Sequence, residues 1–293
     1  MKINRQILAD FLELSKIRMV PMVLITATYG YFLGGQDFSD PVRYLCVLLA
    51  FSLVSIGSAT LNNYLEREVD AKMHRTCQRV LPTGRVSAFA ALIYGISMVL
   101  SGVFLLVWRV NLLTGFLMLI ASFLYVLVYT PMKRWTTWNT FVGAIPGAIP
   151  PLAGWTAATG QIDLGGILLF LILFTWQHPH FYAIAFMHRE DYSRGGFKML
   201  PVVDETGKRT FRQIIVYLLL LLLVSLLPSA IGMTGRFYLY GTAIAGLYFL
   251  IAGVNLCIKN DLPMQRRLFF ASLIYLPSLL LLMVADFGLR YFY

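Results

Sequence analysis

Asn62-Asn63-Tyr64-Leu65-Glu66-Arg67-Glu68-Val69-Asp70-Ala71-Lys72-Met73-His74-Arg75-Thr76 stands where an apolar run of roughly residues 43–64 ends. A switch this abrupt, from aliphatic side chains to amides, carboxylates and cations, reads as a helix leaving a membrane. Asn62, Glu66 and Asp70 recur every four residues, and four helical positions advance about 400°, so the three share one face with Asn63 close beside it. No Gly or Pro lies between Gly57 and Pro82, so the helix is expected to run on for several turns until Pro82-Thr83-Gly84 stops it. Oxygen donors on one face suit Mg²⁺, a hard cation that takes one or two carboxylates and shares its shell with phosphates. Lys72, Arg75 and Arg79 follow closely enough to hold those phosphates directly. Spacing alone leaves an equal alternative, a solvated helix end ion-paired to Arg67, Lys72 or Arg75.

The rest of the chain settles the class. Of 293 residues, 58% are hydrophobic and 13% charged, and the mean hydropathy is +0.72. These values describe an all-α integral membrane protein and exclude a soluble core. About nine stretches are long enough to span, roughly 17–35, 43–64, 88–108, 111–129, 139–158, 163–186, 213–233, 236–257 and 267–286. No linker or low-complexity tract interrupts them, so a single transmembrane domain over 1–293 is expected. Residues 1–16, with Ile7, Leu8, Phe11 and Leu14, read as a short cytoplasmic interfacial helix.

Charge orients the bundle. With the N-terminus and the even-to-odd loops on one side, only Arg43, Arg109, Arg236 and Arg290 of the 24 basic residues fall on the other. The positive-inside rule then makes the N-terminal side cytoplasmic and puts the C-terminus opposite. The net charge of +10 is mostly this topology, with anionic membrane lipid as the partner and no need for nucleic acid. Cys46, Cys77 and Cys257 show neither paired nor metal-ligand spacing. The first apolar run lacks a small-residue cleavage site and reads as a retained helix.

Two long inner connections, about 65–87 and 187–212, carry mixed acids and bases. The second is preceded by Trp176-Gln177-His178-Pro179-His180-Phe181 and runs through Glu190-Asp191-Tyr192 to Lys198. Pro179 is expected to kink its helix and turn Gln177, His178 and His180 toward an interior polar surface, although histidines at helix contacts more often serve packing. Asp191 has Arg194 as a simple partner. Among the remaining cations Lys133 and Arg134, after Tyr129-Thr130-Pro131-Met132, are the ones expected to touch substrate. Gly143, Pro146, Gly147, Pro150, Pro151 and Gly154 make the following helix irregular by expectation.

The run Asn62–Gly84 resembles the first aspartate-rich motif, Asn-Asp-x-x-Asp-x-x-x-Asp, of the UbiA superfamily of intramembrane prenyltransferases. Asn63 stands where Asp is usual, and Glu66 replaces the second acid. Asn62-Asn63-Tyr64, Lys72-Met73, Arg75-Thr76, Tyr129 to Arg134, Asn139, Pro150-Pro151, Trp176-Gln177, Pro179-His180-Phe181, Asp191-Tyr192 and Met199-Leu200-Pro201 are similar to its haem-farnesylating branch. The resemblance covers nearly the whole chain. It implies about nine transmembrane helices around a central cavity capped by polar cytoplasmic loops, in a bacterial-type cytoplasmic membrane. It implies farnesyl transfer from farnesyl diphosphate to haem B, giving haem O for terminal oxidases. It further implies Mg²⁺ on Asn62, Glu66 and Asp70, with Asp191 also catalytic. Lys72, Arg75, Arg79, Lys133, Arg134 and Lys198 would bind diphosphate, and His180, Gln177 and Asn139 would contact haem. Haem A synthase or a terminal-oxidase assembly are the implied protein partners. The second superfamily motif, Asp-x-x-x-Asp, is reduced here to Glu190-Asp191, with no acid four residues on. Alternatives are a prenyltransferase acting on an aromatic acid or quinone precursor, and a haem-handling membrane protein without catalysis.

Overall fold

Apolar composition and helix-compatible spacing translate into helices throughout. The computed structural model describes residues 2–35 and 40–292, and side chains within 5–35 and 40–286; every regular element among the described residues is helical. Lys2 and Arg290, which entered the charge count, lie outside the described side chains. In order, the elements are α1 (Lys2–Leu14), α2 (Val20–Gly35), α3 (Pro41–Asp70), α4 (Ala88–Arg109) and α5 (Leu112–Phe123). A π-helical stretch, Leu124–Tyr129, leads into α6 (Thr130–Trp135), followed by α7 (Asn139–Thr159) and α8 (Leu164–Met187). Then come α9 (Arg189–Arg194), α10 (Leu200–Val203), α11 (Lys208–Ala230), α12 (Arg236–Ile258) and α13 (Leu262–Phe292).

Eight helical segments among the described residues are long and apolar enough to cross a membrane. The ninth expected span is α7, which forms over 21 residues but is not among these eight. Its three internal prolines, Pro146, Pro150 and Pro151, do not break it, against the irregular helix expected. Fifteen of its residues are buried, and burial among neighbouring helices overrides local propensity.

Packing divides the chain into two compact units, each with its own contacts. The first comprises residues 1–166 with 191–198. In it α3 packs along α4 and α2 along α7. The α2–α7 approach is backbone to backbone. A Cβ at Gly30 would collide with the Pro151 carbonyl, and one at Gly154 with the Ala27 carbonyl, so both must be Gly. Helix α1 closes onto this unit through Phe11 and Leu14, which join Leu81 and Ala91 in a small apolar cluster. Arg85 ties down its polar side, reaching Asp10 (2.6 Å) and Glu13 (2.9 Å).

The second unit comprises residues 167–190 with 199–293. Helix α12 packs between α11 and α13. Buried hydroxyls join the three: Tyr238 Oη donates to Ser225 O (2.7 Å), and Tyr275 Oη to Ser225 Oγ (2.8 Å). Asp286 of α13 accepts from the Gly235 and Tyr238 amides at the start of α12. Asp204 does the same service for α11, accepting from the Thr210 amide (2.8 Å) and hydroxyl (2.9 Å).

Candidate active site

The stripe read from the sequence exists. Asn62, Glu66 and Asp70 are 1%, 6% and 1% exposed, while Glu68 on the opposite face is exposed. The helix ends at Asp70, however, and does not run on to Pro82. No Gly or Pro marks this end, and hydrogen bonds from residues just beyond it accompany the stop. Thr76 Oγ1 donates to the Asp70 carbonyl (2.9 Å), so the chain folds back in successive turns over residues 71–86. This fold-back returns Arg79 to Asp70 at 2.9 Å.

Each member of the stripe is met by a different cation. Lys16 Nζ donates to Asn62 Oδ1 (2.8 Å), Lys133 Nζ to Glu66 Oε1 (2.8 Å), and Arg79 to Asp70 Oδ2 (2.9 Å). Lys16 reaches in from the junction of α1 and α2, where its backbone adopts a left-handed conformation, φ 46°. Burial of its ammonium, together with the nearby Arg79 guanidinium, lowers the Lys16 pKa to about 7. Read from sequence, this lysine has only a topological role, because a cation at the start of a span looks the same in either capacity.

Lys133 is placed by the π-helical stretch. Tyr125 and Tyr129 stack at 5.8 Å on that stretch, and Lys133 Nζ lies 4.7 Å from the Tyr129 ring centre and 5.5 Å from that of Phe197. The Tyr129 ring lies directly on Gly143, where a Cβ would sit 2.5 Å from it. Thr130 accepts from Asn62 Nδ2 (3.0 Å) and donates to Tyr125 O (2.8 Å), fixing the amide's orientation. A π-bulge at such a place is common at functional sites.

Residues 191–198 strap the site. Asp191 accepts from the His74 (3.2 Å) and Arg75 (3.3 Å) amides and from Arg194 (3.2 Å). The Arg194 pairing agrees with the sequence, whereas the amide clasp left no sequence signal. Arg75 Cζ lies 5.9 Å from the Tyr192 ring centre. The Lys198 amide donates to Lys133 O (2.6 Å). Asn139 Nδ2 donates to Thr136 O (2.5 Å) and Lys198 O (3.0 Å), so the amide marked for haem is engaged with backbone.

A cavity of about 800 Å³ opens among Lys16, Asn63, Asp70, Arg75, Arg79 and Pro82. Of the six cations expected at a diphosphate, Arg75, Arg79 and Lys133 lie at the cavity or the stripe. The side chains of Lys72, Arg134 and Lys198 are exposed. In the second unit Gln177 is buried with Nε2 on Leu173 O (3.0 Å), and His178 shares Nδ1 with Phe174 O (2.8 Å). Helix α8 continues through Pro179, and His180 Nδ1 contacts Ser272 Oγ at 2.7 Å.

Among the described residues no three His, Cys, Asp or Glu side chains form a metal cluster. The stripe offers two carboxylates and an amide, a set suited to a hard cation that shares its shell with phosphate and water. Asp70 Oδ1 is buried without a hydrogen-bond partner, an orphaned oxygen that a cation would satisfy. The residues therefore fit Mg²⁺.

Two carboxylates and an amide, each met by a cation beside a cavity, are chemically suited to a phosphorylated ligand. Residues 23–274 match the UbiA prenyltransferase family. The chain belongs to that family. It is 43% identical to the protoheme IX farnesyltransferase of Solibacter usitatus over 94% of this chain and 98% of that one. With the enzyme of the same name from Opitutus terrae it shares 40%, over 95% and 94%. A solved digeranylgeranylglyceryl phosphate synthase superposes with a TM-score of 0.82 at 19% identity, covering 95% and 98% of the two chains. A UbiA homologue from Archaeoglobus fulgidus bound to DMAPP and Mg²⁺ gives 0.67 at 18%, covering 94% and 99%. The likeness to these two structures is one of fold.

Proposed function

We propose that this prenyltransferase moves a farnesyl group from farnesyl diphosphate to the 2-vinyl group of haem B, with water added, giving haem O for terminal oxidases. The names of its full-length relatives support the haem acceptor. The observation that carries the transfer itself is the pairing of Asn62, Glu66 and Asp70 with Lys16, Lys133 and Arg79 at the cavity.

The bond between the farnesyl C1 and the diphosphate oxygen breaks, and its electrons leave with the diphosphate. The vinyl π electrons form the new carbon–carbon bond, water captures the resulting cation beside the porphyrin ring, and a proton is released. Lys16, Arg75, Arg79 and Lys133 take up the charge of the departing diphosphate. The Tyr125, Tyr129 and Phe197 ring faces beside Lys133 favour cationic carbon over captured water. Asn62, Glu66 and Asp70 would hold Mg²⁺, which supplies Lewis-acid neutralisation of the diphosphate.

Lys72, Arg134 and Lys198, with exposed side chains, draw the anionic donor toward the site. Asp191 acts by fixing the Arg75 loop. His180 and Gln177 are the haem contacts, and Asn139 holds the 191–198 strap in place. The cation distribution supports a cytoplasmic N-terminus and a C-terminus on the opposite side. Haem A synthase or a terminal-oxidase assembly would take the product.

Membranes carrying the protein, incubated with haem B, farnesyl diphosphate and Mg²⁺, should yield haem O by mass spectrometry. Turnover of a phenolic acceptor with no haem O would overturn the reading.

A further inference from the structure

Ser272 on α13 anchors the α8 segment at Trp176 and His180 twice. Its carbonyl accepts from Trp176 Nε1 (2.9 Å), and its hydroxyl meets His180 Nδ1 (2.7 Å). That hydroxyl already donates to Phe269 O at 2.5 Å. A serine has one hydroxyl proton, so toward His180 the oxygen accepts and Nδ1 must carry the hydrogen. The imidazole is also clamped face to face, 4.7 Å from the Trp176 ring at 18° and 5.2 Å from Phe269 at 25°. A ring flip would break the Ser272 bond without a substitute. In the neutral ring the lone pair is then on Nε2, and no described residue hydrogen-bonds there.

A single fixed imidazole is too little for a free metal ion, which needs several protein ligands. No cluster of three His, Cys, Asp or Glu exists among the described residues to supply them. It is enough for a metal that arrives with four nitrogens of its own and lacks only an axial partner. The geometry points to Ser272 as the positioning residue that fixes the His180 tautomer, so that Nε2 ligates the iron of the porphyrin acceptor. Trp176 and Phe269 keep the ring plane from rotating. This inference rests on the haem reading above and adds to it the residue that makes His180 a ligand.

The test uses purified full-length protein titrated with ferric haem and, separately, with metal-free protoporphyrin, read by absorption and EPR. Wild type should give a nitrogen-ligated haem spectrum, and His180→Ala should lose it. Ser272→Ala should weaken iron ligation by about tenfold to a hundredfold, the usual effect of removing an outer-shell partner. Ser272→Thr, which keeps the hydroxyl, should restore it. Metal-free protoporphyrin should bind all four proteins alike, which also reports on folding. An unchanged haem spectrum in His180→Ala, or a Ser272→Ala spectrum and affinity identical to wild type, would overturn the inference while leaving haem as substrate. If wild type bound neither porphyrin and made no haem O, the haem reading itself would fall, and this inference with it.

Discussion

Lys16 Nζ lies 2.8 Å from Asn62 Oδ1, a hydrogen bond that links residues 46 apart in the chain. It joins the start of the first span to the stripe at the end of the second and lines the cavity with a cation. Lys16→Met should therefore raise the KM for the prenyl diphosphate by at least about tenfold, from loss of a charged hydrogen bond worth about 1.5–3 kcal/mol. Lys16→Arg should retain most of the affinity. Steady-state kinetics at varied diphosphate checks this, and an unaltered KM in Lys16→Met would remove the lysine from the site.

Lys133 and Glu66 form a pair whose side chains are 14% and 7% exposed. Lys133→Met leaves the Glu66 carboxylate buried without its counter-ion and should cost about 3–5 kcal/mol of stability. Adding Glu66→Gln should recover much of that loss while leaving the enzyme inactive. Thermal unfolding in detergent, with activity measured in parallel, separates the two effects.

Asp70 holds Arg79 with one oxygen and leaves the other orphaned. Asp70→Ala should abolish transfer while porphyrin binding persists. Mn²⁺ binding in the presence of prenyl diphosphate, followed by EPR, should be lost in the same variant; retained binding and activity would exclude the metal role.

Asp191 clasps the His74 and Arg75 amides. Asp191→Ala should loosen the loop and raise the diphosphate KM more than it lowers kcat, and Asp191→Asn, which keeps one acceptor oxygen, should fall between. A loss confined to kcat would instead mark Asp191 as a group acting on the reacting atoms.

Burial tends to raise the Asp204 carboxyl, but hydrogen bonds from the Thr210 amide and hydroxyl outweigh it and hold the group below its ordinary range. Its stabilising contribution is therefore full above the unfolded carboxylate pKa of about 3.9 and is lost as pH falls through the lowered folded value. Asp204→Asn should destabilise the protein at pH 6–7 by about 1.5–3 kcal/mol. Melting curves of the two proteins should converge only in strong acid.

The spans were legible because twenty apolar residues in a row admit few structures. So was the stripe, since its spacing depends only on helical geometry. The end of α3 was not: Thr76 and Arg79 reach back to Asp70 there, and such contacts exist only once the chain has folded. The surroundings of Asn139 were hidden for a related reason. Its type suits a ligand, but its position opposite the Thr136 and Lys198 carbonyls turns it to backbone. Lys16 was hidden by a degeneracy, since one cation at a membrane edge can orient the protein and serve its chemistry together.

The pairing of each stripe residue with its own cation has a consequence for the enzyme between turnovers. Glu66 and Asp70 each have a cation of their own, so neither acid stands without a counter-ion. The donor can trade places with the carboxylates as the partner of those cations, and after its diphosphate departs they can swing back. The protein thus carries its own counter-ions and can stand idle between turnovers without leaving a buried acid uncompensated.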